Sequence, residues 1–215
     1  MQTAKAIMMQ TSDTDLGRSR PPEMRCKPAE RKRRGRLKIF LGAAPGVGTT
    51  CEMISAGITK HRERVDVVVG VVETHGRKET EALLKELEVI PGQGAAFDWR
   101  RACEMDLDAV LARRPKLVLV DELAHVNAPG ARHPRRFTDV RQLLRAGIDV
   151  YTTLNMQQVE SLNTIVTKIT RIRKGETVPD SVVNQADEIE VIDAAPGDIM
   201  QHLRRGKLSM WFAAS

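Results

Sequence analysis

Lys38 to Thr50, KIFLGAAPGVGTT, constrains this chain more than any other stretch. Ile39, Phe40 and Leu41 form a short apolar run that suits a buried strand, and a glycine-rich turn, Gly42 to Gly48, follows at once. From Thr49 to about Arg62 the residues read as an amphipathic helix, with Met53, Ile54 and Ile58 available for its buried face. Strand, glycine loop and helix N-terminus in this order form the layout of a phosphate-binding P-loop. Backbone N–H groups of such a loop point inward at an anion, and the helix dipole adds to the attraction. Gly46 and Gly48 are expected at positive φ, where a side chain would be strained. The plainer alternative is a strand–helix turn that holds no ligand.

The motif departs from its full form, G-x-x-x-x-G-K-[ST], at one position. Aligned on Gly48, Ala43 takes the first position with Gly42 just before it, Thr50 takes the Mg²⁺-binding Ser/Thr position, and Thr49 stands where the lysine belongs. Threonine can bond a phosphate oxygen but carries no charge. A hydrogen bond to a charged group contributes roughly 1.5–3 kcal/mol, so the loss corresponds to ~10–100-fold in affinity. The expected ATP-binding set is Ala44, Pro45, Gly46, Val47, Gly48, Thr49 and Thr50. Gly46, Val47 and Gly48 would offer their amides to the phosphates.

The rest of the chain alternates apolar strands with helical stretches. Val65 to Val72 is a β-branched run suited to a strand covered on both faces. It ends in the polar segment Glu73 to Lys78, and Glu79 to Glu88 follows as a helix. Residues 89–104 are irregular, with a short strand expected at Ala95 to Phe97. A helix is predicted over Asp106 to Arg113, with Asp106 as its cap. Lys116 to Val120 reads as another buried strand and runs straight into Asp121 and Glu122. Apolar residues closing on an acid form the Walker B pattern, in which the Asp holds Mg²⁺ and a neighbouring Glu activates water. Asp121 therefore joins the ATP set, Thr50 and Asp121 are the expected Mg²⁺ ligands, and Glu122 is the candidate catalytic base.

Leu123 to Arg136 is a long cationic loop, read either as a phosphate sensor or domain contact, or as an exposed basic loop. His125 and His133 have no cysteine or third histidine nearby, so no metal site is expected from them. Beyond it come a helix at Phe137 to Arg145, a strand at Ile148 to Thr153, a helix from Met156 to Thr170 and a short helix near Pro179 to Ala186. A strand at Glu188 to Ile192 and a helix at Pro196 to Arg205 complete the pattern. The fold class is α/β, P-loop NTPase-like, a mostly parallel sheet with helices on both faces. Ligands in such sheets bind outside the carboxyl ends of the strands. The P-loop, Glu73 to Lys78, Asp121 and Glu122, and Thr153 to Gln158 all fall on that edge.

The net charge of +6 belongs mostly to residues 1–34, which hold nine Lys/Arg against four Asp/Glu. This segment is read as a disordered basic tail and a solvated lead-in to a domain spanning 35–207, with 208–215 as a second tail; Met24 is an alternative start. Its run Arg31 to Arg34 could meet nucleic acid or anionic lipid. Aromatics are scarce and do not interleave with the basic residues, which argues against nucleic acid. Cys26, Cys51 and Cys103 are scattered without C-x-x-C spacing, as in a reducing cytoplasm. No stretch is long and apolar enough to span a membrane.

Several long strings together resemble one family: RRGRLKIFLGAAPGVG, VVVGVVETHGRKETEALL, EMDLDAVLARRPKLVLVDELAHVNAPGARHPRRFTDV, AGIDVYTTLN, the ESLN at Glu160 to Asn163, and ETVPDSVVNQADEIEVID. These are similar to the N-terminal cytoplasmic domain of KdpD, the potassium-sensing histidine kinase of bacterial two-component systems. The resemblance covers about residues 33–207. It implies a regulatory ATP-binding domain that tunes the kinase and phosphatase activities of a larger protein toward its response regulator. It also implies a lysine where this chain has Thr49. The chain resembles a truncated or stand-alone copy of that domain, without the kinase core. Three functions are open: a regulatory nucleotide sensor; a slow P-loop NTPase in which Arg77, Lys78 or Arg132 replaces the lysine; and a nucleotide-free module that docks on a full-length kinase.

Overall fold

The computed structural model describes residues 33–92, 104–170 and 175–193. Leu37–Gly42 is β1, Thr49–Arg62 α1, Val67–Val71 β2, Lys78–Leu84 α2 and Glu88–Val89 β3. Leu107–Arg113 is α3, Leu117–Val120 β4, Arg136–Arg145 α4 and Asp149–Asn155 β5. A 3-10 turn at Met156–Gln158 leads to Glu160–Thr170 (α5), Asp180–Val183 (α6) and Glu188–Ile192 (β6). The strands form one sheet in the order β3-β2-β4-β5-β1-β6. Every neighbouring pair is parallel.

Side-chain alternation along the strands divides the core in two. Phe40, Val67, Val69, Leu117 and Leu119 pack with Met53, Ile54 and Ile58 of α1 on one face. Leu37, Ile39, Val68, Val118, Val120 and Val150 pack on the other with Val110 of α3, Val140, Leu143 and Leu144 of α4, and Val182 of α6. Both faces are covered, which is why the strands read as nearly continuous apolar runs. The alternation breaks once. The register between β2 and β4 shifts between Val69 and Val71, so Val71 joins the face of Val68. A bulge of this kind re-aims the residues after it, here Val72 and Glu73.

The predicted elements recur with three local differences. The helix expected to reach Glu88 stops at Leu84, because Leu87 turns into the core on the α1 face and Glu88–Val89 pairs with β2 as an edge strand. The single helix expected from Met156 is interrupted at Val159, which is extended, buried, and bridged to Val178. The interruption is stabilised by Asn155 and Gln158, each side chain bonded to the other's backbone. Asp106 caps α3 as expected, accepting from the Ala109 amide at 2.9 Å. Arg34, placed at the end of the tail by composition, donates to the Gln185 carbonyl at 2.9 Å. The expected strand at 95–97, the helix at 196–205, residues 1–32 of the basic tail and residues 208–215 lie outside the described residues.

Gly35 opens the described fold under a tight steric limit. Its amide donates to the Leu144 carbonyl at 2.8 Å, and a Cβ there would lie 1.9 Å from the Ile148 carbonyl oxygen. The nearest atoms are all backbone, of Ile148 and Asp149, so no flexible side chain can yield. Gly35→Ala is expected to destabilise the domain by about 1–3 kcal/mol, the usual cost of overpacking, read as a lower urea midpoint at unchanged slope.

Candidate nucleotide-binding site

The carboxyl ends of β1, β5, β4 and β2 are neighbours in the sheet, and the loops leaving them meet. Leaving β1, the chain passes through the half-buried loop of Ala44, Pro45, Gly46 and Val47 to Gly48, where α1 begins. Gly46 (φ 81°) and Gly48 (φ 104°) are both left-handed, as their place in the motif requires. Gly42 is needed for a different reason: a Cβ there would lie 2.9 Å from both Asn155 Oδ1 and Thr49 Cγ2. The loop is anchored at its base by the Ala43 amide, which donates to the Ile192 carbonyl at 3.0 Å. The first intrahelical bond shown at the start of α1 is Glu52 N to Gly48 O, and no side chain caps this end. The amides of its first turn are therefore available to an anion.

Asp121, at the end of β4, is only 1% exposed. Its Oδ1 accepts from the Thr153 hydroxyl at 2.5 Å and from the Glu122 amide at 3.1 Å. Its Oδ2 accepts from the Glu73 amide at 3.2 Å. The Thr50 hydroxyl lies 3.2 and 3.3 Å from the two oxygens. One carboxylate thus ties together α1 and the ends of β2, β4 and β5. Burial pushes its proton affinity above the ordinary aspartate range, against the opposing pull of Thr153, the Glu73 amide, Thr50 and Arg136. Thr50 and Asp121, paired as Mg²⁺ ligands by the sequence, are in contact. Both present hard oxygen donors, the kind that Mg²⁺ takes.

Glu122 follows in a left-handed conformation, φ 55°, with its amide also 3.0 Å from the Thr153 hydroxyl. Burial, with the charges of Glu73 and Asp121 nearby, raises its carboxyl to about 7. The Glu73 carboxylate gathers beside it, and His75 Nε2 stands 3.9 Å from Glu73 Oε2 and 4.0 Å from Glu122 Oε1.

The loop from Leu123 to Arg136 is not the exposed basic surface that its composition suggests. His125 Nε2 meets Glu104 Oε1 at 3.0 Å, His133 Nδ1 meets Asp139 Oδ1 at 2.6 Å, and Arg132 pairs with Asp108 of α3 at 2.7 Å. Arg136 is 1% exposed and donates to the Asp121 carbonyl at 3.0 Å. Acids from outside the loop thus meet three of its basic side chains. Burial works to raise the Glu104 carboxyl, but His125, the Ala128 amide and Arg136 together hold it below the usual range. Arg132, one of the three cations considered in place of the missing lysine, is committed to α3.

Sequence reading placed Thr153 on this edge and Arg136 in the loop that leaves it, but gave neither a contact with Asp121, and it did not single out Glu104. Thr153 carried a usable signal, a polar residue at the end of a strand. Glu104 lies in a stretch without periodicity and carried none.

The family model described as "KdpD: Osmosensitive K+ channel His kinase sensor domain" matches residues 33–212. This chain belongs to that family. It is 51% identical over 175 residues to the sensor protein KdpD of Escherichia coli (strain K12), covering 81% of this chain and 20% of that protein. It is 48% identical over 176 residues to the putative sensor protein KdpD of Synechocystis, covering 82% of this chain and 48% of the relative. The chain therefore spans between a fifth and a half of these two curated relatives. The flagellar accessory protein FlaH from Methanocaldococcus jannaschii superposes over 63% of this chain at a TM-score of 0.37 and 15% identity, too loosely to carry an argument. Among the described residues no helix is long and apolar enough to cross a membrane.

Within this KdpD sensor domain the donors around Asp121 make a sharp prediction. Each carboxylate oxygen accepts from one backbone amide, so an Asn in either orientation turns its NH₂ against an N–H. Asp121→Asn is expected to lower stability by about 1–3 kcal/mol in the absence of nucleotide, measured by urea unfolding.

Proposed function

We propose that this domain is the nucleotide-binding regulatory module of a KdpD-type two-component system for potassium response, working on the cytoplasmic side. One observation carries the nucleotide reading: the Thr50 hydroxyl at the start of α1 stands 3.2–3.3 Å from the Asp121 carboxylate oxygens. The uncapped first turn of α1 and the left-handed glycines support it from the phosphate side. In this reading the amides of Gly46, Val47 and Gly48 meet the phosphates of ATP, and Thr50 with Asp121 holds Mg²⁺. Thr49 offers a hydroxyl in place of an ammonium, so the site holds its ligand through backbone amides and the metal. Membership of the KdpD family supports the regulatory role and supplies the partners, a full-length sensor kinase or its response regulator.

The test is a calorimetric titration of Mg²⁺-ATP into the protein beside its Thr49→Lys variant. Both are expected to bind, the variant about 10–100-fold more tightly. Binding by the variant alone would replace nucleotide sensing with nucleotide-free docking on a full-length kinase. Binding by neither folded protein would remove the P-loop reading of Gly42 to Thr50.

A second reading, slow hydrolysis of ATP, is favoured by Glu122. Its carboxyl, raised to about 7, is tuned for proton transfer near neutrality and lies one residue from the metal-binding Asp121. Mg²⁺ bound with ATP would supply charge neutralisation at the phosphates; Glu122 would take the proton of the attacking water. Phosphate release that falls by about 10²–10⁴-fold in Glu122→Gln, with ATP affinity kept, is the expected result. Release unchanged by that substitution would leave the domain a binding module alone.

A further inference from the structure

A second constellation of donors lies beside Asp121. The ligand atoms of Glu73, Glu122 and His125 all lie within 4.8 Å of one another. Two segments supply them: the chain leaving β2, and the turn leaving β4 in which the His125 amide donates to the Glu122 carbonyl at 3.0 Å. None of the three residues supplies the oxygens assigned to Mg²⁺. We propose that Glu73, Glu122 and His125 form a binding site for a divalent transition-metal ion of the zinc class, with His75 as the fourth donor.

Four features point to this class of ion. First, the set combines carboxylate oxygens with imidazole, a mixture suited to zinc-like ions, whereas Mg²⁺ prefers oxygen alone. Second, the imidazole has a carboxylate partner. Glu104 Oε1 lies 3.0 Å from Nε2 of His125, so a metal taken by Nδ1 would leave that contact intact. Glu104 is itself fixed by the Ala128 amide at 2.9 Å and lies 3.6 Å from Nη2 of buried Arg136. A carboxylate behind a ligating histidine is the arrangement that fixes the tautomer and raises the basicity of the ring in metal centres. Third, His75 already stands 3.9 and 4.0 Å from the two carboxylates, held there by the left-handed pair His75 (φ 48°) and Gly76 (φ 71°). Fourth, Arg136, the cation whose charge reaches Glu122, is turned to the Asp121 carbonyl and to Glu104. Metal bonds of about 2.0–2.2 Å require the donors to close in by roughly 1 Å, within the reach of side-chain rotation.

The backbone amides of Glu73 and Glu122 both donate to Asp121, so the two metal sites share a wall. An ion at the second site would clamp β2 to β4 at their carboxyl ends. It would also take the Glu122 carboxylate away from water, making the metal a brake on any hydrolysis beside an intact nucleotide site.

The test is a Zn²⁺ titration of the nucleotide-free protein in excess Mg²⁺, by competition with a chromogenic chelator. Omitting ATP keeps its outcome separate from that of the nucleotide reading. One Zn²⁺ per chain is expected. Glu73→Gln and His125→Asn, checked for folding by circular dichroism, should each weaken it by about tenfold or more, while Cys51→Ser and His133→Asn leave it unchanged. Co²⁺ bound to the unsubstituted protein should show visible absorption without thiolate-to-cobalt charge transfer. That spectrum decides the matter if the variants fail to fold. No binding, displacement by Mg²⁺, binding that persists in both variants, or a thiolate spectrum would each overturn the proposal.

Discussion

A buried negative charge organises the working edge of this domain. Asp121 is surrounded by apolar strand and has almost no access to water, so its carboxylate must be solvated by the protein itself. Two hydroxyls and two amides do this, and they come from α1 and from the ends of β2, β4 and β5. The sheet order makes the arrangement possible. β5 lies between β1 and β4, so Thr153 reaches the acid from the adjacent strand while Thr50 reaches it from the helix that β1 feeds. Donors that satisfy one charge thereby tie the ends of three paired strands to the start of the helix that packs on them.

Much of this was legible in the sequence, for reasons tied to particular residues. Apolar runs such as Val67 to Val71 and Leu117 to Val120 are long because both their faces are covered, and that marks a parallel sheet. Glycines 46 and 48 adopt the left-handed conformation expected of them, and the acid at 121 follows the end of β4 as expected. The pairing of Thr50 with Asp121 followed from motif position alone, and the two side chains are in contact. Local interruptions were harder. The break at Val159 depends on its bridge to Val178, distant in sequence, and the bulge in β2 depends on register with β4. Neither leaves a periodic trace.

The long loop after Glu122 shows a further limit of composition. Its histidines and arginines suggest a surface seeking anions outside the domain, yet His125, His133, Arg132 and Arg136 each meet a group within it. Asp108 and Asp139 come from helices on either side of the loop in sequence, and Glu104 precedes α3. Charge counted along a chain says little about charge exposed in space. Arg136 makes the point most strongly, since it is among the most buried large side chains described and helps hold the Asp121 backbone in place.

The bond between Ala43 and Ile192 joins the root of the glycine loop to the last residue of β6. Among the described residues β6 has a strand neighbour on one side only, and its Ile189 and Val191 are exposed. The loop springs from an interior strand and is tied at its root to this edge strand, so any rearrangement of the glycine turn is felt at the end of β6 as well as at the end of β1.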